Sequence, residues 1–133
     1  MATAYSGGIT IEYNAGGRTK SHTITKTGTG KIAVEEDVAT GENDFEIQLK
    51  GVDISEVTAI YINSTQDVTL ETNAADATGG NTLTLKADEP YVWWTDAPFV
   101  NVITADITTD VFVTNASGAT ATVTLEFYQD ATP

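Results

Sequence analysis

The stretch Val123-Thr124-Leu125-Glu126-Phe127 decides the fold class. Its apolar residues occupy every second position, and in an extended chain alternate side chains share a face. Such a segment buries one side and wets the other, which is the pattern of a strand. Immediately upstream, Asn115-Ala116-Ser117-Gly118 is the strongest turn signal in the chain. Asn and Ser bond to their own backbone there, and Gly takes positive φ without a Cβ clash. Before the turn, Val111-Phe112-Val113 forms a short, densely apolar strand.

The same pattern extends towards the N-terminus. Pro90-Tyr91-Val92-Trp93-Trp94 reads as an aromatic strand, and Thr95 to Val102, with Asp96, Pro98 and Asn101, as a loop crossing over. Leu83 and Leu85 mark another strand, after a polar, Gly-containing loop from Asn73 to Asn81. Val68 and Leu70 alternate with Thr69 and Glu71. Val57 to Ile62 is nearly all apolar, as a strand covered on both sides would be. Phe45, Ile47 and Leu49 alternate, and Ile32 and Val34 open a shorter strand. Glu35-Glu36-Asp37 and Gly41-Glu42-Asn43-Asp44 read as an acidic loop region. Ile9, Ile11 and Tyr13 form the first strand, Asn14-Ala15-Gly16-Gly17 a turn, and Lys20 to Lys26 a second strand that is polar on both faces. A strand of that kind sits at an edge or packs on something outside the domain.

These segments predict an all-β protein: an antiparallel β-sandwich, jelly-roll-like, of nine or ten strands. The 133 residues fit one domain, 1–133, with 1–30 as a polar N-terminal hairpin or arm. Heavy use of Thr, Val, Ile and Ala supports sheet, because β-branched side chains suit a pleat and crowd a helix.

Two stretches resemble each other. Asp53-Ile54-Ser55 leads to Ile60-Tyr61-Ile62, an Asn63-Ser64 turn and Val68-Thr69-Leu70-Glu71. Asp106-Ile107-Thr108 leads to Val111-Phe112-Val113, the Asn115 turn and Val123-Thr124-Leu125-Glu126. Convergence on a common hairpin pattern explains this, as do two equivalent hairpins of a pseudo-symmetric sandwich. Both stretches are expected to be hairpins.

The formal net charge of −13 argues against nucleic acid and against anionic membrane as partners, since both are held by clustered Lys and Arg. The absence of Cys excludes disulfides and thiolate chemistry. The opening Met1-Ala2-Thr3-Ala4-Tyr5 has neither a basic nor an apolar leader segment, so no secretory signal is expected.

No residue set stands out as an active site. His22, the lone histidine, lies on the polar second strand and reads as an exposed strand residue. Thr27-Gly28-Thr29-Gly30-Lys31 lacks the spacing of a phosphate loop and no helix follows it, so it reads as a turn. The acidic groups Glu35-Glu36-Asp37, Glu42/Asp44 and Asp88-Glu89 offer carboxylate pairs, with nothing to select one for hydrolysis. Calcium would suit such loops, but no D-x-[DN]-x-[DN]-G segment occurs. The expectation is a non-enzymatic chain with no catalytic residue, no metal site and no cofactor.

The aromatic segment holds the candidate interface: Tyr91, Trp93, Trp94 and Phe99. Trp93 and Trp94 are strand neighbours, so their side chains point to opposite faces. One enters the core, while the other lies under the Thr95 to Val102 loop, joins a subunit contact or offers a sugar-stacking platform.

From Asp53 onwards, about 80 residues, the chain resembles small virion-associated proteins of tailed bacteriophages. The run Ile60-Tyr61-Ile62-Asn63-Ser64-Thr65-Gln66-Asp67-Val68-Thr69-Leu70-Glu71-Thr72-Asn73 carries the likeness. So do Tyr91-Val92-Trp93 and Val113-Thr114-Asn115-Ala116-Ser117-Gly118-Ala119-Thr120-Ala121-Thr122. It is a resemblance of texture and motif, not of catalytic signature. It implies a capsid decoration, or cement, subunit on the capsid surface of a virion assembled in the host cytoplasm. The implied partners are the major capsid protein and further copies of the chain, in a homo-oligomer, typically a trimer. A carbohydrate-binding or host-recognition module and a tail component are the alternatives.

Overall fold

A computed structural model describes residues 5–49 and 51–130. Ten strands follow in order: β1 (Tyr5–Ala15), β2 (Arg18–Gly28), β3 (Gly30–Val38), β4 (Phe45–Gln48), β5 (Val57–Ser64), β6 (Val68–Thr72), β7 (Thr82–Leu85), β8 (Tyr91–Trp94), β9 (Asp110–Thr114) and β10 (Ala121–Gln129). One 3-10 turn, Ile54–Glu56, precedes β5, and the Asp53 carboxylate caps it by accepting from the Ser55 amide at 3.0 Å. Each alternating stretch of the sequence lies in a strand, except that β4 ends at Gln48 and leaves Leu49 just outside it.

Eight strands form two antiparallel four-stranded sheets, in the orders β3-β10-β5-β8 and β4-β9-β6-β7. This interleaving of two Greek keys is the jelly-roll order. β1 and β2 pair only with each other, as a separate two-stranded arm. The arm's turn follows from its sequence: Gly16 and Gly17 take φ of 58° and 78°, the paired positive values of a tight primed hairpin turn.

The core lies between the two sheets. β10 sends Val123, Leu125 and Phe127 inward, all fully buried. They share the interior with Ile60 and Ile62 of β5, Ile47, Val111, Val113 and Leu70 of the facing sheet, and Val52, Ile103 and Ile107 from connections. Burying a side chain such as Phe127 stabilises the fold by about 1.5–3 kcal/mol.

Two expectations are corrected. The repeated stretches are not hairpins: β5 and β6 lie in opposite sheets, as do β9 and β10, so each is an arch crossing the core. A strand with one buried face carries the same alternation whether its successor lies beside it or across from it. The two arches do meet. Val52 and Ile107 exchange backbone hydrogen bonds at 2.9 and 3.0 Å, and the Ile54 amide donates to the Asp106 carboxylate at 2.9 Å. Second, Glu35-Glu36-Asp37 belongs to β3 and not to a loop. β3 is an edge strand paired only with β10, so its open side tolerates charge. Glu36 even occupies an inward-facing position, opposite the buried Val123, and stays exposed at the rim.

Candidate docking surfaces

The pairing of β8 with β5 separates the aromatic residues. Tyr91 and Trp93 lie opposite Ile62 and Ile60, on the inner face, and pack against the margin of the core. Val92 and Trp94 lie opposite Tyr61 and Ala59, on the outer face. The two indoles thus diverge as the strand pattern requires, and both are half-buried. The Trp93 indole N–H donates to the Phe99 carbonyl at 3.3 Å. The Trp94 ring meets the Phe99 ring edge-on, centroids 5.4 Å apart at 88°. Of the four candidate residues, the structure therefore gathers all at one sheet margin, and only Phe99 is largely open to solvent.

Asparagines hold the long connection 95–109 in place. The Tyr91 hydroxyl donates to the Asn101 side-chain oxygen at 2.5 Å and accepts from the Val102 amide at 3.0 Å. Burial pushes this phenol above its ordinary pKa, so it remains a donor over the whole useful pH range. Asn101 also donates to the Ile103 carbonyl at 2.8 Å, and Ile103 is buried in the core. Asn81 accepts from the Thr104 and Ala105 amides at 3.1 and 3.0 Å. Asn73 accepts from the Thr108 amide and donates to the Asp106 carbonyl, both at 2.8 Å. On this fixed base the loop presents Phe99, Val100 and Val102, which are 45%, 83% and 46% exposed. Sequence reasoning named Phe99 and missed the two valines. Their signal was an apolar pair, Phe99-Val100, inside a segment otherwise marked by Asp, Pro and Asn.

The arm is the second surface. Its residues from Thr10 to Thr23 are exposed on both faces. At its root Gly28 is buried, and a Cβ there would collide with the Gln129 carbonyl oxygen; the Thr29 amide donates to that same oxygen at 2.9 Å. Close backbone approach therefore sets where the arm leaves the sandwich. The base of the arm lies over the outer face of the β3-β10-β5-β8 sheet, leaving a cleft of about 370 Å³ between Ile9 and Ile24 on the arm and Tyr61, Val92 and Tyr128 on the sheet.

The remaining candidates are dispersed. His22 lies exposed on the arm. Asp37 and Glu35 each accept one hydrogen bond from β10, from the Thr122 and Thr124 hydroxyls at 2.8 and 3.3 Å. Among the described residues no three His, Cys, Asp or Glu side chains gather as a metal site. Comparison of the chain with protein families, with curated proteins and with solved structures finds none that matches.

Proposed function

We propose that this chain is a structural subunit of a tailed-phage virion, a capsid decoration protein that binds the major capsid protein and stabilises the shell as a homo-oligomer, in the simplest case a trimer. The observation that supports it is the apolar knuckle Phe99-Val100-Val102, held on a hydrogen-bonded base at the margin of a jelly roll. Val100, at 83% exposed, gains nothing from folding where it stands. Apolar side chains grouped on a rigid platform are what a protein–protein contact uses, because little entropy is lost when they are covered. The jelly roll itself is an architecture used in capsids, which agrees with the reading at the level of fold alone.

The test uses shells assembled from the major capsid protein of the same genome. The purified chain is expected to co-sediment with them and to raise the temperature at which they open. Val100→Asp should abolish co-sedimentation while leaving the melting of the free chain unchanged. Failure of the unaltered chain to bind such shells would overturn the proposal.

A further inference from the structure

The arm has two unlike faces. Strand pairing places Ile9, Ile11 and Tyr13 of β1 opposite Ile24, His22 and Lys20 of β2, with Arg18 opposite Ala15 on the same side. The other side carries Thr10, Glu12, Thr19, Ser21, Thr23 and Thr25. Ile11 is 42% and Tyr13 63% exposed. A two-stranded hairpin is marginal in water unless a third element covers it. Over its outer half this one has an apolar face without cover.

The arm's charge is also opposite to that of the body. Residues 5–28 hold three basic residues, Arg18, Lys20 and Lys26, against one acidic, Glu12, a net +2. The rest of the chain holds three basic against 18 acidic, a net −15. Among the described residues the salt bridges are Lys31–Glu126 and Lys86–Asp67, so neither Arg18 nor Lys20 is in one.

A matching surface exists on the body. The outer face of the β4-β9-β6-β7 sheet centres on the half-buried Phe112, flanked directly by Glu46 on β4 and Glu71 on β6. Asp110 lies two positions along β9 on the same face. The Glu46 carboxyl is held above its usual range by the hydrogen bond and charge of Asp110, a crowding of like groups that a cation would relieve. None of these four strands contains Lys or Arg. The opposite sheet differs: its outer face already carries the base of the arm and the Lys31–Glu126 pair at 3.1 Å.

We infer that the arm of one copy lies across the outer face of the β4-β9-β6-β7 sheet of a second copy, with Ile11 and Tyr13 over Phe112 and with Arg18 and Lys20 among Glu46, Glu71 and Asp110. The dimensions agree. Five residues from Thr10 to the turn reach about 17 Å, and four strands span about 14 Å. The contact joins unlike surfaces, so it is head-to-tail and closes a ring or continues as a chain. It deepens the homo-oligomer part of the proposed function and does not depend on shell binding.

Light scattering of the full chain at low ionic strength tests it. The unaltered chain is expected to form an oligomer that salt dissociates. The double variant Arg18→Glu with Lys20→Glu should weaken association about tenfold or more. Glu46→Lys with Glu71→Lys should do the same, and the chain carrying all four changes should re-associate. That rescue separates a specific contact from general charge repulsion. If the sheet variants do not fold, the arm variant alone decides, since its residues are exposed. A monomeric unaltered chain overturns the inference. So does an arm variant that still associates, or a folded four-change chain that does not. Retention of the unaltered chain by DNA or anionic vesicles in place of self-association overturns it as well. Shell co-sedimentation, read separately, reports on the capsid proposal.

Discussion

Replacing Asn115 should cost more stability than any other change to a polar side chain in this molecule. Asn115 is fully buried where β9 crosses to β10. Its carboxamide donates to the Val38 carbonyl at 2.9 Å and the Ala119 carbonyl at 2.8 Å, and accepts from the Ser117 amide and hydroxyl at 3.1 and 2.7 Å. One side chain thus ties the end of the edge strand β3 to the crossing. Asn115→Ala removes both donated bonds and leaves a gap in the interior, while Ser117 can rehydrate at the surface and the Val38 carbonyl keeps its place in the ladder opposite Ala121. With about 1 kcal/mol net for each of the two donated bonds and about 1 kcal/mol for the gap, the loss is about 3 kcal/mol. In urea, at a slope of about 1.5–2 kcal/mol per molar, the midpoint should fall by about 1.5–2 M. Asn115→Asp sharpens the test. It keeps the shape but aims a carboxylate at two carbonyl oxygens, so its folded-state pKa must rise. A raised carboxyl pKa destabilises the fold above that pKa and ceases to do so below the unfolded value of about 3.9. The Asp variant should therefore be the worse of the two at pH 7, and its deficit against the unaltered chain should shrink near about pH 4. An Asp variant within about 0.5 kcal/mol of the unaltered chain, or a deficit indifferent to pH, would refute this account of the crossing.

Three further outcomes are expected. Gly80→Ala should lower stability by about 2 kcal/mol or more, because its Cβ would run into the Thr72 carbonyl, a backbone group with nowhere to move; thermal melting measures it. Tyr91→Phe should cost about 1–2 kcal/mol by removing the bonds to Asn101 and Val102, and hydrogen exchange at the Val102 amide should quicken. Glu46→Gln should raise the melting temperature at pH 7, measured on dilute, monomeric protein. The Glu46 carboxyl is raised by Asp110, so its ionisation opposes folding above the folded pKa; the gain should vanish once the pH drops below the unfolded value of about 4.3.

Strand identity was legible because alternation is written residue by residue: Phe45-Ile47, Val68-Leu70 and Val123-Leu125-Phe127 announce their buried faces directly. Strand partnership was not, because Val68 shows the same face whether β6 lies beside β5 or across the core. Charge misled at Glu35-Glu36-Asp37, where one open side of β3 lets an acidic run remain a strand. For the candidate surfaces, the divergence of Trp93 and Trp94 followed from the pleat alone. The exposure of Val100 did not, since it depends on Asn73 and Asn81 gripping backbone far away in sequence and on the Tyr91 hydroxyl reaching Asn101. The basic face of the arm needed register: Lys20 joins Tyr13 only once the Gly16-Gly17 turn has set which residues stand opposite.

The strand order also governs how the chain is made. β10 sits between β3 and β5, and β9 between β4 and β6, so each sheet lacks an inner member until residues 110–129 have been synthesised. A nascent chain that has reached β8 holds six body strands and several unsatisfied edges, with no route to a smaller stable sheet. Folding must therefore wait for the last stretch and proceed through long-range pairing, a slow course during which apolar faces stand open. Ribosomes stalled before Asp110 should yield aggregates or chaperone clients, and never a half-sandwich.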